Sequence, residues 1–222
     1  MPCTIVPHLM GGLGNWLFQV AVAVQLSQQA GLPFSLSEEH CARSPHSGVD
    51  YFKTILSKLY TPPPTLNIHR NRQRIFVNEL PKGTRTGDGS YLPSVLPYKD
   101  KNVDVILFGY FQRYDFVPTR FRGMLTLPNV DDTAVRDTCF LHIRGGDYVG
   151  HGLHDVKPAE YYRKSIAHMK SLGITKFSIF TNDKAYAASQ EFLKDIDHQF
   201  IDAPELESLV LMSKCRAGIT AN

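Results

Sequence analysis

Apolar and polar positions along the chain fall into short blocks whose spacing switches between strand-like and helix-like. Residues 3–9 are apolar enough for a first strand, and a Gly-rich turn follows. Leu17, Val20, Ala21 and Val24 then recur at three- and four-residue steps, which predicts a helix from Asn15 to Ala30, stopped by Gly31 and Pro33. Phe34 to Leu36 reads as a short second strand. Residues 38–65 show no regular period, and Pro62-Pro63-Pro64 is a stiff breaker. Arg74 to Val77 and Val103 to Tyr110 read as strands, the second long and buried, and Asp115 to Arg122 as a helix or a loop.

Residues 127–132 (Leu-Pro-Asn-Val-Asp-Asp) have the composition of a linker, and beyond them the pattern becomes regular. Cys139 to Ile143 is a strand. Pro158 to Leu172 is a helix with Pro158 at its first position, Tyr162, Ile166, Met169 and Leu172 on one face, and Gly173 as its stop. Lys176 to Thr181 is a strand, Lys184 to Leu193 a helix, Gln199 to Ile201 a short strand, Pro204 to Cys215 a helix, and Ala217 to Thr220 the start of another strand. Strands alternating with helices predict α/β architecture with a parallel, doubly wound sheet. The expected domains are 1–132 and 133–222. The chain stops inside its last strand, so the C-terminal half reads as incomplete, either trimmed or continued in a longer protein.

Composition narrows the function classes. The chain has 222 residues, 43% hydrophobic and 20% charged, as a soluble globular protein does. A net charge of +3 suits an anionic small molecule and is too weak to imply nucleic acid. The densest basic run, His69 to Arg74, alternates in the manner of a solvated strand or loop. Cys3, Cys41, Cys139 and Cys215 lie far apart without metal-ligand spacing, and Cys139 and Cys215 sit in apolar runs as buried small side chains. The N-terminus lacks signal-peptide character, and no apolar run approaches the roughly 20 residues of a membrane span. A cytoplasmic protein, or a soluble catalytic fragment of a longer one, is expected.

Two loops could carry chemistry. The first is Met10-Gly11-Gly12-Leu13-Gly14-Asn15, between a strand and a helix. Its glycines would let a ligand approach the main chain, and the helix start would offer amides to an anion. A dinucleotide fingerprint fails for want of a third glycine, and a P-loop for want of Gly-Lys-Ser/Thr. The plainer alternative is a tight turn with Asn15 as the helix cap. The second loop is His142-Ile143-Arg144-Gly145-Gly146-Asp147, directly after a buried strand, where ligands of open α/β sheets bind. Arg144 could lay its planar fork on two phosphate oxygens, the glycines would leave room for a pyrophosphate, and Asp147 could orient Arg144. The alternative is an Arg-Asp pair that only shapes the turn. His142 has no second ligand at metal spacing. Asp195-Ile196-Asp197 matches a metal-binding Asp-x-Asp but sits at a helix end, and Asp131-Asp132 is treated likewise as solvated. His151 and His154 flank a Gly-rich segment that could form a lid.

Together these residues resemble the α-1,2-fucosyltransferases of glycosyltransferase family eleven. Gly11-Gly12-Leu13-Gly14-Asn15-Trp16-Leu17-Phe18-Gln19 is similar to that family's Gly-Gly-Leu-Gly-Asn-Gln-Leu-Phe-Gln. His142-Ile143-Arg144-Gly145-Gly146-Asp147-Tyr148 resembles its donor motif His-x-Arg-Arg-Gly-Asp-Tyr. Gly109-Tyr110-Phe111-Gln112 and Ile179-Phe180-Thr181-Asn182-Asp183 resemble two further segments. Leu211-Met212-Ser213 and Ile219-Thr220-Ala221-Asn222 look like the run leading into a Ser-Phe-Ser-Trp-Trp motif, which lies past the end of this chain. Two departures stand out: Trp16 replaces a glutamine, and Gly145 replaces the second arginine.

The resemblance implies a GT-B-like fold, two Rossmann-like domains facing a cleft, with an acceptor-side N-terminal half and a donor-binding C-terminal half. It implies inverting, metal-independent transfer of L-fucose from GDP-β-L-fucose to an acceptor glycan, without a cofactor. Arg144 and Asn15 are then the catalytic candidates. Gly12, Gly14, His142, Arg144, Gly146, Asp147, Asp183 and Asn222 are the donor-binding ones. A different nucleotide sugar, or a non-catalytic nucleotide- or glycan-binding relative, stays open, and neither the general base nor the oligomeric state is readable.

Overall fold

The structure is a computed structural model that describes residues 3–42, 48–60, 72–81, 92–150 and 158–221. The Pro62-Pro63-Pro64 breaker, His69, Arg70, His151, His154 and Asn222 lie outside the described residues. Contacts divide the chain into unit 1, Met1–Thr126, and unit 2, Leu127–Asn222. The division comes at the start of the 127–132 segment, ahead of the expected boundary at Asp132.

Unit 1 holds a three-stranded parallel sheet of β1 (Thr4–Pro7), β2 (Gln73–Asn78) and β3 (Val103–Phe108), with β3 in the middle. Strands alternate their side chains between faces. Cys3, Ile5, Val105 and Leu107 share one face, packed with Val22, Ala23 and Leu26 of α1 (Leu13–Ala30). Ile75 and Val77 of β2 join that face, so Arg74, Phe76 and Asn78 take the other. Helix α1 ends as expected, at Gly31, whose φ of 64° lets its amide reach back to the Ser27 carbonyl. It begins two residues earlier than expected, with Gly12 as its N-cap, so Asn15 lies inside the first turn and is not the cap.

The strand expected at Phe34–Leu36 reduces to a bridge between Ile5 and Phe34, and a second bridge joins Leu9 to Cys41. Between them the chain leaves the sheet through a 3₁₀ turn, Glu38–His40, so the ladder cannot propagate. The 115–122 segment resolves into 3₁₀ turns at Tyr114–Phe116 and Phe121–Met124. The solvated reading of the basic run is corrected at Arg72. Its side chain is only 6% exposed, pairs with Asp104 at 3.3 Å, and donates to the Thr4 hydroxyl and the Val103 carbonyl. Arg74 pairs with Glu39 at 2.7 Å.

Unit 2 holds a four-stranded parallel sheet in the order β6–β5–β4–β7, made of β4 (Cys139–Ile143), β5 (Lys176–Thr181), β6 (Asp197–Phe200) and β7 (Ala217–Ile219). Tyr162 and Ile166 of α2 (Ala159–Ser171) pack with Leu141, Ile143, Phe177 and Ile179 in one core cluster. Two shorter helices follow, α3 (Lys184–Ala188) and α4 (Glu205–Met212), and Leu211 of α4 packs with Val135 and Phe180 in another cluster. Phe180 alternates with Ile179 along β5, so the two clusters lie on opposite faces and the sheet is doubly wound.

Pro158 is the N-cap of α2 rather than its first helical residue. The helix expected over 184–193 breaks into α3 and a 3₁₀ turn at Glu191–Leu193. The Ser189 hydroxyl and the Gln190 amide both bond the Tyr186 carbonyl at this point, competing with helix continuation. Cys139 is buried and Cys215 half-buried, and burial pushes both thiols up, Cys139 to about 11. The hydroxyl of Thr138, just before β4, meets that of Ser178, within β5, at 2.9 Å, and the Gln199 amide donates to Ser178 Oγ and to the Ala134 carbonyl.

Two Rossmann-like α/β units, each built on a parallel sheet, are the element content of the expected GT-B-like fold. No helix among the described residues is long and apolar enough to cross a membrane.

Candidate functional site

Loops at the carboxyl end of a parallel sheet are where such folds bind ligands. In unit 2 that edge carries the 144–147 turn. Asn182, just past β5, accepts from the Gly145 amide at 3.0 Å and donates to the Gly145 carbonyl at 3.3 Å. Asp183 accepts from the Gly146 amide at 3.1 Å through one oxygen, and through the other caps α3 at the Tyr186 amide, 2.9 Å. Two loops that are distant in sequence are thereby locked together. Gly146 has φ 57°, a conformation other side chains resist.

This lock sets the direction of Arg144. Nη2 donates to both carboxylate oxygens of Asp147, at 2.9 and 3.1 Å, and the guanidinium lies over the Tyr148 ring at 4.6 Å. The side chain is 29% exposed. Both of its bonds to described residues use Nη2, and Nε is buried without a hydrogen-bond partner. The result is a cation held on two sides and partly exposed at the rim, a geometry suited to recognition of a phosphate oxygen. His142 lies two residues before it, on β4. Burial, and then the Arg144 charge, hold its imidazole below the usual histidine range, so it is neutral near pH 7.

Gly145 is explained by its surroundings. A Cβ there would stand 2.6 Å from Cδ1 of Tyr186 and 3.0 Å from Cβ of Asp183. The Tyr186 ring occupies the space a side chain at 145 would enter.

In unit 1 the corresponding edge gathers the two motifs that lie there. Gln19 is 1% exposed; its Oε1 accepts from the Met10 amide at 3.0 Å and its Nε2 donates to the Gly109 carbonyl at 3.1 Å. Gln112 donates to Asn15 Oδ1 at 2.6 Å. Gly11, with φ 78°, packs so closely on Asn15 that a Cβ would lie 2.2 Å from its Nδ2. Gly12 and Gly14 face open space: a Cβ on either would meet nothing within 4 Å, and no side chain caps α1. Amides at that helix start are approachable by an anion. Glu79, past β2, accepts from the amides of Tyr110 and Phe111 at 2.8 and 2.9 Å. Phe111 has φ 51°, unusual for a bulky residue, and is 1% exposed. Trp16 is a core residue 4% exposed, packed edge-on against Tyr51 at 5.0 Å.

The structure therefore brings His142, Arg144, Gly146, Asp147 and Asp183 together in unit 2, and Gly12, Gly14 and Asn15 together in unit 1. Asp197 begins β6 opposite Lys176, the amino end of β5. It lies about 20 Å of strand away from Asn182 at the usual rise per residue. Among the described residues no three His, Cys, Asp or Glu side chains cluster to hold a metal ion. Reasoning from sequence singled out neither Asn182, Gln112, Gln19 nor Glu79 as site residues. The signal that marks Arg144, a polar group past a buried strand, marks Asn182 equally, whereas Glu79 follows the exposed edge strand β2.

Fold and edge residues together define an α/β protein with a cation fixed at the carboxyl rim of its second sheet. No protein-family profile matches the chain. It is similar to the O-antigen biosynthesis glycosyltransferase WbnK of Escherichia coli, with 25% identity over an alignment covering 96% of this chain and 85% of that protein. That similarity supports glycosyl transfer as the class of reaction.

Proposed function

We propose that the chain is an inverting transferase that moves L-fucose from GDP-β-L-fucose to a hydroxyl of an acceptor glycan, a galactoside in the α-1,2 sense. The observation that carries this reading is the Arg144 guanidinium, held by Asp147 and Tyr148 and partly exposed at the carboxyl rim of the unit 2 sheet. In the reaction the bond between the sugar C1 and the β-phosphate oxygen breaks. The acceptor oxygen bonds C1 from the opposite face and its proton is lost. Negative charge grows on the departing diphosphate, and a preorganised cation beside it lowers the barrier. Arg144 supplies that cation, while His142, Gly146, Asp147 and Asp183 shape the donor site around it. The reaction as proposed uses no metal and no cofactor. In unit 1, Gly12, Gly14 and Asn15 offer amides and a side-chain carbonyl to an anion or a sugar hydroxyl.

One observation favours a second reading. Tyr186 fills the place of the family's second arginine, which removes a cation from the rim and suits a different nucleotide sugar. Mass spectrometry of products separates the two. GDP-fucose, GDP-mannose and UDP-galactose are each offered with galactose-, fucose- and rhamnose-terminated acceptors. Addition of one deoxyhexose, from GDP-fucose and onto the galactoside, is expected. Addition of a hexose from either other donor would replace the fucosyl reading, and GDP binding without any turnover would make the chain a non-catalytic relative.

A further inference from the structure

The carboxyl edge of unit 1 has a second face, away from α1. Register pairs Asn78 of β2 with Phe108 of β3. His8, the residue after β1, donates its amide to the Leu107 carbonyl and stacks its ring 5.1 Å from that of Phe108. Asn78, Phe108 and His8 thus form one row across three strands. Phe76 sits one step back on the same face, since it alternates with Val77 of the opposite core. His40 stands behind His8, with ring centroids 6.3 Å apart.

This row is unusual in being aromatic and polar at once. Phe76 is 59% and Phe108 42% exposed, although both lie in strands, where a ring of that size is normally buried. The cation of β2 on this face, Arg74, is neutralised by Glu39. Burial keeps the His40 imidazole below its ordinary range, hence uncharged near pH 7. His8 is half-buried, with Nδ1 enclosed and without a hydrogen-bond partner, so a ligand meets it through the rest of the ring. Among the described residues an anion finds no unpaired cation here, whereas a neutral polyol with one apolar side finds both halves of its surface matched.

We propose that this row is a pyranose-binding platform. The C–H face of a sugar ring lies on Phe76 and Phe108, and Asn78 and His8 bond its hydroxyls. The inference rests on the glycosyl-transfer reading, for which the platform is the subsite of the acceptor sugar. It assigns acceptor recognition to residues that none of the motifs contains.

The test uses the whole chain with methyl β-D-galactopyranoside. Saturation-transfer NMR reports contact between aromatic protons and the sugar ring, calorimetry reports GDP binding, and steady-state assays report the acceptor KM. Phe76→Ala is expected to abolish saturation transfer and to raise the acceptor KM about tenfold, the scale of one lost aromatic contact. GDP binding and GDP-fucose hydrolysis are expected to stay as they were. Phe76→Tyr keeps the sugar signal, and Asn78→Ala weakens it without changing the melting temperature. A wild-type protein that shows no saturation transfer overturns the platform, as does a signal that survives both Phe76→Ala and Asn78→Ala. Failure of the fucosyl reading looks different: a wild type that binds the galactoside through Phe76 yet turns over no GDP-fucose retains the platform as a glycan-binding site.

Discussion

In unit 1 the loop after β3 is gripped by a carboxylate from the loop after β2. In unit 2 the loop after β4 is gripped by an amide and a carboxylate from the loop after β5. Glu79 holds the amides of Tyr110 and Phe111; Asn182 and Asp183 hold those of Gly145 and Gly146. Each grip encloses a residue of positive φ, Phe111 at 51° and Gly146 at 57°. Glycine adopts that geometry at little cost, but phenylalanine gives up roughly 1–2 kcal/mol to do so. The carboxylate of unit 1 therefore opposes strain, whereas the side chains of unit 2 mainly set direction. Of the two turns, the second presents the Arg144 cation, and there the space beside the turn is filled by the ring of Tyr186. A common way of tying adjacent strand ends has been fitted out for different tasks.

The largest effect is expected at the cation of the second turn. Arg144→Ala is expected to lower turnover about a thousandfold or more, the scale seen when a charge-stabilising group is removed from a transfer site. Circular dichroism and melting temperature should be unchanged. Arg144→Lys should also turn over poorly, because a point charge cannot replace the fork. Turnover near wild type in Arg144→Ala would reduce Arg144 to a shaper of the turn, and in Arg144→Lys would show that charge alone suffices.

A smaller effect is expected beside it. Gly145→Ala forces a methyl to within 2.6 Å of the Tyr186 ring, and overpacking of this kind costs about 1–3 kcal/mol. Adding Tyr186→Ala should recover much of that loss, which denaturant titration of the double-mutant cycle reads directly. Additive losses would mean that the ring does not confine the turn.

The smallest expected change tests the other unit. Glu79→Gln leaves an acceptor oxygen but removes its charge, weakening two bonds to backbone amides, and should cost about 1 kcal/mol of unfolding free energy. An unaltered unfolding curve would show that Phe111 holds its conformation through core packing alone.

Much of this architecture is legible in the chain because strands and helices announce themselves locally. β4 and β5 fall on the residues their apolar runs indicate, and Gly31 stops α1 where a left-handed cap is needed. The misreadings have equally local physics. Asn15 looks like a cap because asparagine favours that role, but Gly12 takes it once Gln112 has engaged the Asn15 side chain. The helix over 184–193 looks continuous until Ser189 and Gln190 turn back on the Tyr186 carbonyl. Site assembly is less legible. Arg144 stands out because it follows a buried strand, but its alignment depends on Asn182 and Asp183, whose bonds span 37 residues. No periodicity reports contacts of that length, nor the clearance under Tyr186 that excludes a side chain at 145.

The hydroxyl pair of Thr138 and Ser178, joined by the Gln199 amide, lies within the sheet, several residues before Arg144. Ser178 is wholly buried, so sliding β5 by one position would strand a hydroxyl in the apolar interior and turn every side chain of that strand to the wrong layer. The strands are thus indexed like the teeth of two combs, and Arg144 and Asn182 arrive level with each other at the tips as a consequence.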